Sequence, residues 1–297
     1  MSYILTTKDS ADALEKTLVM CRELLKPNDE LIVVDCDSRD RTKEVVGENN
    51  DIISIFISEP DFDGDHAANK GILHARGKYI KMIGHENIHH PEATEKVIRV
   101  MEEHPDIDVL VCGGISKGYG REHAIYVPPG ANFGKSPEDV FRYYPVGCGV
   151  GHFFRRSVFA RAGLLPRTYC TDSHYLMKTI ASGATVKFCR INAFYYPFKY
   201  VDAYLPDYGK TSRDVKEEYW LGLAKEYCSP SFYRRYYIER KLQKIRKMKK
   251  SISKPLRSYL WSVFGKAPVS AESRAQVNEE NISGMSKQKY VWDGGFS

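Results

Sequence analysis

The sequence predicts an α/β fold built on a mostly parallel, twisted sheet flanked by helices. Two observations carry this. Short runs of strand-forming residues alternate with amphipathic segments at the spacing of parallel β-α units. Polar clusters then stand at the carboxyl ends of those runs, where open α/β sheets bind ligands.

Residues 3–6 give the first strand. Ser10 is placed to cap a helix whose apolar positions Leu14, Leu18, Cys21 and Leu25 share one face. Pro27-Asn28-Asp29 turns the chain into a strand over 31–34, which ends in the polar run 35–42. A helix over 43–48 and a strand over 52–57 follow. No G-x-G-x-x-G follows the first strand, which points away from nicotinamide and flavin enzymes. The lack of a Gly-rich phosphate loop there also argues against a nucleotidyltransferase.

The central stretch is 58–91. Its acidic start, with Pro60 and Gly64, belongs to a loop. Asp65 is placed as an N-cap, and Ala67, Ala68, Ile72 and Ala75 predict a short helix stopped by Gly77. Residues 79–83 read as a buried strand ending in Gly84, His85, Glu86 and Asn87. That end is either a ligand site or a plain solvated loop.

After Pro91, the residues Ala93, Val97, Val100 and Met101 predict an amphipathic helix that stops near His104-Pro105. A strand over 109–112 turns out at Gly113-Gly114, and 116–145 reads as loop. A helix over 158–162 ends at Gly163, and Asp172 opens another that closes at Ser182-Gly183. A strand over 185–188, an aromatic-rich piece over 194–208 and a helix over 215–227 complete the body.

Hydrophobic residues make up 42% of the 297 and charged ones 28%, enough apolar material for a proper core. The seven cysteines are widely spaced with no C-x-x-C pair, so neither a disulfide framework nor a zinc site is expected. No run approaches the ~20 apolar residues of a membrane span, and no basic-then-apolar leader opens the chain, so a cytoplasmic location is expected.

The net charge of +6 is local in origin. Residues 233–257 hold eleven Lys/Arg against one Glu, so the remainder is mildly acidic. Within that segment Ile238, Leu242, Ile245 and Ile252 form an apolar stripe, with a second patch at Leu256, Leu260, Trp261 and Phe264. Such a basic helical extension reads either as an anchor on an anionic membrane through 233–264 or as a helix packed back on the body. No nucleic-acid motif accompanies the charge. The expected organisation is a domain over 1–227, the basic extension over 228–266 and a disordered tail over 267–297.

Several segments together resemble the family 2 glycosyltransferases: VVDCDSRDRT (33–42), SEPD (58–61), AANKGILHARGKYI (67–80), HPEA (90–93), FFRRSVFARAG (153–163) and TDSHYLMKTIASG (171–183). They stand in family order over about 1–225. The resemblance implies a GT-A fold and transfer of a sugar from a nucleotide-sugar donor to a hydroxyl of a glycan or lipid-linked acceptor, with inversion. It implies a place in cell-surface polysaccharide or glycan synthesis, on the cytoplasmic face of a membrane.

By resemblance Thr6, Asp35 and Asp37 line the nucleoside side, and Asn69 and Lys70 are aimed at the nucleotide. Lys210, in a Gly-Lys-Thr-Ser loop, adds a phosphate contact. Asp172 matches the general base, and His174 beside it is a groove-lining candidate. The family's acidic metal pair is replaced, leaving Glu86 with His85 as the candidate ligands of Mn²⁺ or Mg²⁺. One carboxylate makes a weaker site than two. Either a metal is held loosely, or Lys70, Arg155 and Lys210 take over the charge. The alternative function is a non-catalytic relative that binds nucleotide-sugar or glycan.

Overall fold

The computed structural model describes residues 1–85, 87–118, 121–125, 127, 133–143, 149–168, 170–197 and 213–251. Alternation along the first strands decides how the sheet is covered. In β1 (Ser2–Thr7) and β2 (Glu30–Asp35), Tyr3, Leu5, Leu31 and Val33 face one side. They pack with Leu14, Leu18 and Cys21 of α1 (Ala11–Leu24) and with Val45 and Val46 of α2 (Thr42–Glu48). Ile4, Ile32 and Val34 face the other side, in one core with Ala67 and Ile72 of α3 (Gly64–His74). Residues two apart thus share a face, and both faces are buried. Gly71 lets α3 lie close: a β-carbon there would stand 2.5 Å from Ile4 Cγ2.

The sheet order is β3-β2-β1-β4-β8-β6-β9-β5, with β7 paired on β6. Its first part, β3 (Ile55–Ser58), β2, β1 and β4 (Tyr79–Ile83), is parallel, as the alternation predicts. β8 (His152–Arg155) then enters antiparallel between β4 and β6 (Val109–Gly118). β6 runs parallel to β9 (Val186–Pro197), with register shifts around Gly113. The two-residue β5 (Ile88–His89) pairs with β9, and β7 (Arg121–Ile125) makes a hairpin with β6. The remaining helices of this part are α4 (Pro91–Glu103), α5 (Glu138–Arg142), α6 (Val158–Ala162), α7 (Thr171–Ala181) and α8 (Arg213–Tyr227).

Several local expectations are corrected. The 116–145 stretch holds the β6–β7 hairpin and α5 as well as loop. Ser10 stands at the N-cap of α1, but its hydroxyl donates to the Lys8 carbonyl. Asp40 from the next loop accepts the Ala11 N–H instead, at 2.9 Å. Asp63, not Asp65, caps α3, accepting the His66 N–H at 2.8 Å.

The described residues form two compact units, one ending at Cys228 and the other starting at Ser229. The described part of the second is α9 (Pro230–Ser251). Tyr237, Ile238, Leu242 and Ile245 are all exposed on it. The patch 256–264 and the expected tail lie outside the described residues. Among the described residues no helix is long and apolar enough to cross a membrane.

Candidate functional site

The carboxyl ends of β1 and β2 carry two loops that are stitched together. Asp9 N–H donates to Ser38 Oγ at 2.8 Å, and Arg39 N–H donates to the Asp9 carboxylate at 2.8 Å. Asp9 and Asp37 both adopt positive φ, 42° and 49°, in these tight turns. Asp35 is fully buried, and its carboxylate accepts from Ser38 N–H at 3.0 Å, Ser58 Oγ at 2.8 Å and Ser38 Oγ. It anchors the turn and β3 from the carboxyl end of β2. Asp37 is exposed and pairs with Lys43 at 2.7 Å. Thr6 is half-buried beside Val34. Its neighbour Thr7 is buried, with its hydroxyl unpartnered at the strand end.

α3 is tied to the segment before α7. The Asn69 amide donates to Leu165 O and accepts from Leu165 N–H, both at 2.9 Å. Arg167 pairs with Asp63 at 2.8 Å, and the Thr171 hydroxyl donates to Asp65. Asn69 thereby holds the 163–171 segment against α3. Lys70 is also engaged locally, with Glu59 at 2.9 Å and Pro60 O at 3.0 Å. Burial pushes the Asp65 carboxyl up to about 6; Asp172 and Asp63 add to the rise, against the Thr171 hydrogen bond.

At the end of β4, His85 Nδ1 lies 3.5 Å from Thr17 Oγ1 of α1. Asn87 is buried with its Oδ1 unpartnered. Glu86 and Lys210 lie outside the described residues. Among the described residues no three His, Cys, Asp or Glu converge as a metal set. His85 and Asn87 alone do not make the oxygen-rich set that a hard divalent ion takes, and Glu86 between them is the remaining candidate. Arg155 is not free to neutralise a diphosphate. It donates to Ile107 O at 3.0 Å and Met101 O at 2.9 Å, and lies over the Tyr79 ring.

Asp172 lies in the first turn of α7, one residue past its start at Thr171, and does not cap the helix. Its carboxylate accepts the N–H of Gly149, in the 3-10 turn Gly149–Gly151 that precedes β8. β8 is antiparallel to β4, so its beginning lies toward the carboxyl end of β4. Asp172 thus shares the end of the sheet that carries Thr7, Asp35 and Asn87. The residue is exposed, while protein atoms crowd its carboxylate. That loss of surrounding water raises its pKa, while the Gly149 N–H and the Lys81 charge act the other way. His174, half-buried, is held between two tyrosines of α8. Its ring bridges Tyr219 at 2.9 Å and Tyr227 at 3.1 Å, bolting α7 to α8.

The structure adds Gly149 and Lys81 to the site, and gives Asp65 a place beside Asp172 rather than at a helix cap. Only Lys81 carried a local signal, as a charge in the middle of the apolar strand Tyr79–Ile83.

The family model described as glycosyl transferase family 2 matches residues 2–163. An uncharacterized glycosyltransferase of Rickettsia typhi is 23% identical over 239 residues, 76% of this chain and 72% of the relative. One of Rickettsia prowazekii is 26% identical over 141 residues, 47% of this chain and 44% of the relative. Among solved structures, the Pyrobaculum calidifontis mannosyltransferase PcManGT, in complex with GDP-Man and Mn²⁺, superposes with a TM-score of 0.57 at 16% identity. That match covers 95% of this chain and 79% of PcManGT. S. aureus TarS 1–349 with UDP-GlcNAc gives 0.53 at 17% identity, covering 66% of this chain and 58% of TarS 1–349. The fold is that of the GT-A glycosyltransferases. With more than half its length matched by the family model, the chain belongs to glycosyl transferase family 2.

Proposed function

We propose that the chain moves a hexose from a nucleotide-sugar to a hydroxyl of a glycan or lipid-linked acceptor, with inversion, in cell-surface polysaccharide or glycan synthesis. One observation carries the reading: a solvent-reachable carboxylate, Asp172, held by a backbone N–H at the ligand-binding end of the sheet. In this reading Asp172 takes the proton of the acceptor hydroxyl as that oxygen bonds to the anomeric carbon. The bond from that carbon to the diphosphate breaks in the same displacement, and the nucleoside diphosphate leaves with the electron pair. Attack from the face opposite the leaving group inverts the centre.

The stitched loops after β1 and β2 are the proposed nucleoside side, through Thr6, Asp37 and the unpartnered Thr7 hydroxyl. Lys210 is the proposed phosphate residue. Complexes of PcManGT with GDP-Man and of TarS with UDP-GlcNAc support a nucleotide-sugar donor here. Mn²⁺ or Mg²⁺ is the proposed cofactor, through Glu86 with His85 beside it. The described residues do not form such a site, so no step is routed through a metal.

Calorimetry with a panel of nucleoside diphosphates, with and without Mn²⁺, on wild type and Glu86→Ala tests the donor side. One nucleotide should bind, with Mn²⁺ tightening it by no more than about tenfold, since one carboxylate is a weak ligand set. Glu86→Ala should remove the metal's contribution. No binding across the panel would make the chain a non-catalytic relative.

The exposed stripe Tyr237, Ile238, Leu242 and Ile245 on a helix rich in Lys and Arg supports attachment to an anionic cytoplasmic membrane face. Sedimentation with phosphatidylserine vesicles, but not phosphatidylcholine vesicles, is the expected result. Equal behaviour with both would remove this reading.

A further inference from the structure

Lys81 is 1% exposed in the middle of β4. A buried ammonium is costly unless its donors are matched. Here it donates to Val150 O and to His152 O, the latter at 3.3 Å, and sits 4.6 Å from the centre of the Phe153 ring. Lysine is almost never fully buried unless it is paired, so one in the middle of a core strand points to a role beyond packing.

What it holds is informative. Val150 and His152 flank Gly151, and this turn begins with Gly149, whose N–H donates to Asp172. From Lys81 to the carboxylate the connection is one short piece of backbone. We propose that Lys81 is a positioning residue of the sugar-transfer site, fixing the 149–152 backbone on which Asp172 rests. The proposal rests on the reading of Asp172 as the base.

Among the described residues, the titratable groups that interact with Asp172 are Lys81 from β4, Asp65 from α3 and Cys170 at the start of its own helix. Asp65 is acidic and works against a second negative charge, so Lys81 is the member of this set that favours the carboxylate. Lys81 also acts on buried His89, which burial foremost holds well below the usual imidazole range.

The test is a pair of reciprocal titrations on the full chain, followed by carboxylate and lysine NMR. In Lys81→Met, the Asp172 pKa should rise by about one unit or more, the size expected for loss of a close opposite charge. The acid limb of kcat/KM should move up with it, while the Kd for the nucleoside diphosphate stays within about twofold of wild type. In Asp172→Asn, which leaves the core intact, the Lys81 pKa should fall by the same coupling, so the test stands even where Lys81→Met does not fold. An unmoved Lys81 in Asp172→Asn, or an unmoved Asp172 in a folded Lys81→Met, would overturn the proposal and leave Lys81 a core residue. Undiminished transfer by Asp172→Asn would instead overturn the base assignment and, with it, the positioning role, whatever the titrations show.

Discussion

Gly149 and Asp172 are matched: the Gly149 N–H donates to the Asp172 carboxylate, and a β-carbon on residue 149 would collide with its Oδ1. The glycine is therefore needed for close approach rather than for an unusual φ. Its turn is held by Lys81, and α7 supplies the acid from its first turn, where the helix dipole favours negative charge. A general base needs this combination of fixed direction and access to the reacting hydroxyl.

The first prediction concerns pH. Asp172 works as a base only when ionised, and the loss of water around it raises its pKa above the ordinary carboxylate value of about 3.9. kcat/KM should therefore rise with pH through a limb that lies above that value. The limb should persist in Asp65→Asn, which separates the two carboxylates. A flat profile between pH 4 and 8 would contradict the assignment.

Asp65 makes a separate prediction about stability. Its folded pKa of about 6 is higher than the unfolded value of about 3.9, so the folded chain binds more protons between them. Its contribution is full below the unfolded value and is lost as pH rises through 6. Asp65→Asn keeps an acceptor for Thr171 and removes the charge. It should melt about 3 °C or more above wild type at pH 7.5, with the difference vanishing near pH 4. A lower melting temperature at pH 7.5 would show that the ionised form is the stabilising one.

Gly71 tests the packing of the parallel half. Valine there would drive methyl groups into Ile4 and Val34 and force α3 away from the sheet. Gly71→Val should cost about 1–3 kcal/mol in denaturant unfolding, the usual range for overpacking. No change in the midpoint would mean that α3 does not approach Ile4 and Val34 this closely.

The parallel half of the sheet was legible because its apolar residues keep a clean period, two along β1 and β2 and three to four along α1. The β6–β7 hairpin was not, since Gly113, Gly114, Ser116, Lys117 and Gly118 carry no alternation. At the site, residue type was readable but its use was not. Asp35 and Asn69 stand in family-like segments, yet hydrogen bonds to Ser38, Ser58 and Leu165 engage them, and those partners are set by tertiary structure. The Gly149–Asp172 pairing depends on β8 entering antiparallel beside β4, a long-range choice with no local signature.

The most direct measurement is the rate of sugar transfer by Asp172→Asn alongside its affinity for the nucleoside diphosphate. A loss of about 10²–10⁴ in kcat is expected, the usual contribution of a positioned general base, with nucleotide affinity unchanged. Transfer at the wild-type rate by this variant, with nucleotide still bound, would contradict Asp172 as the base.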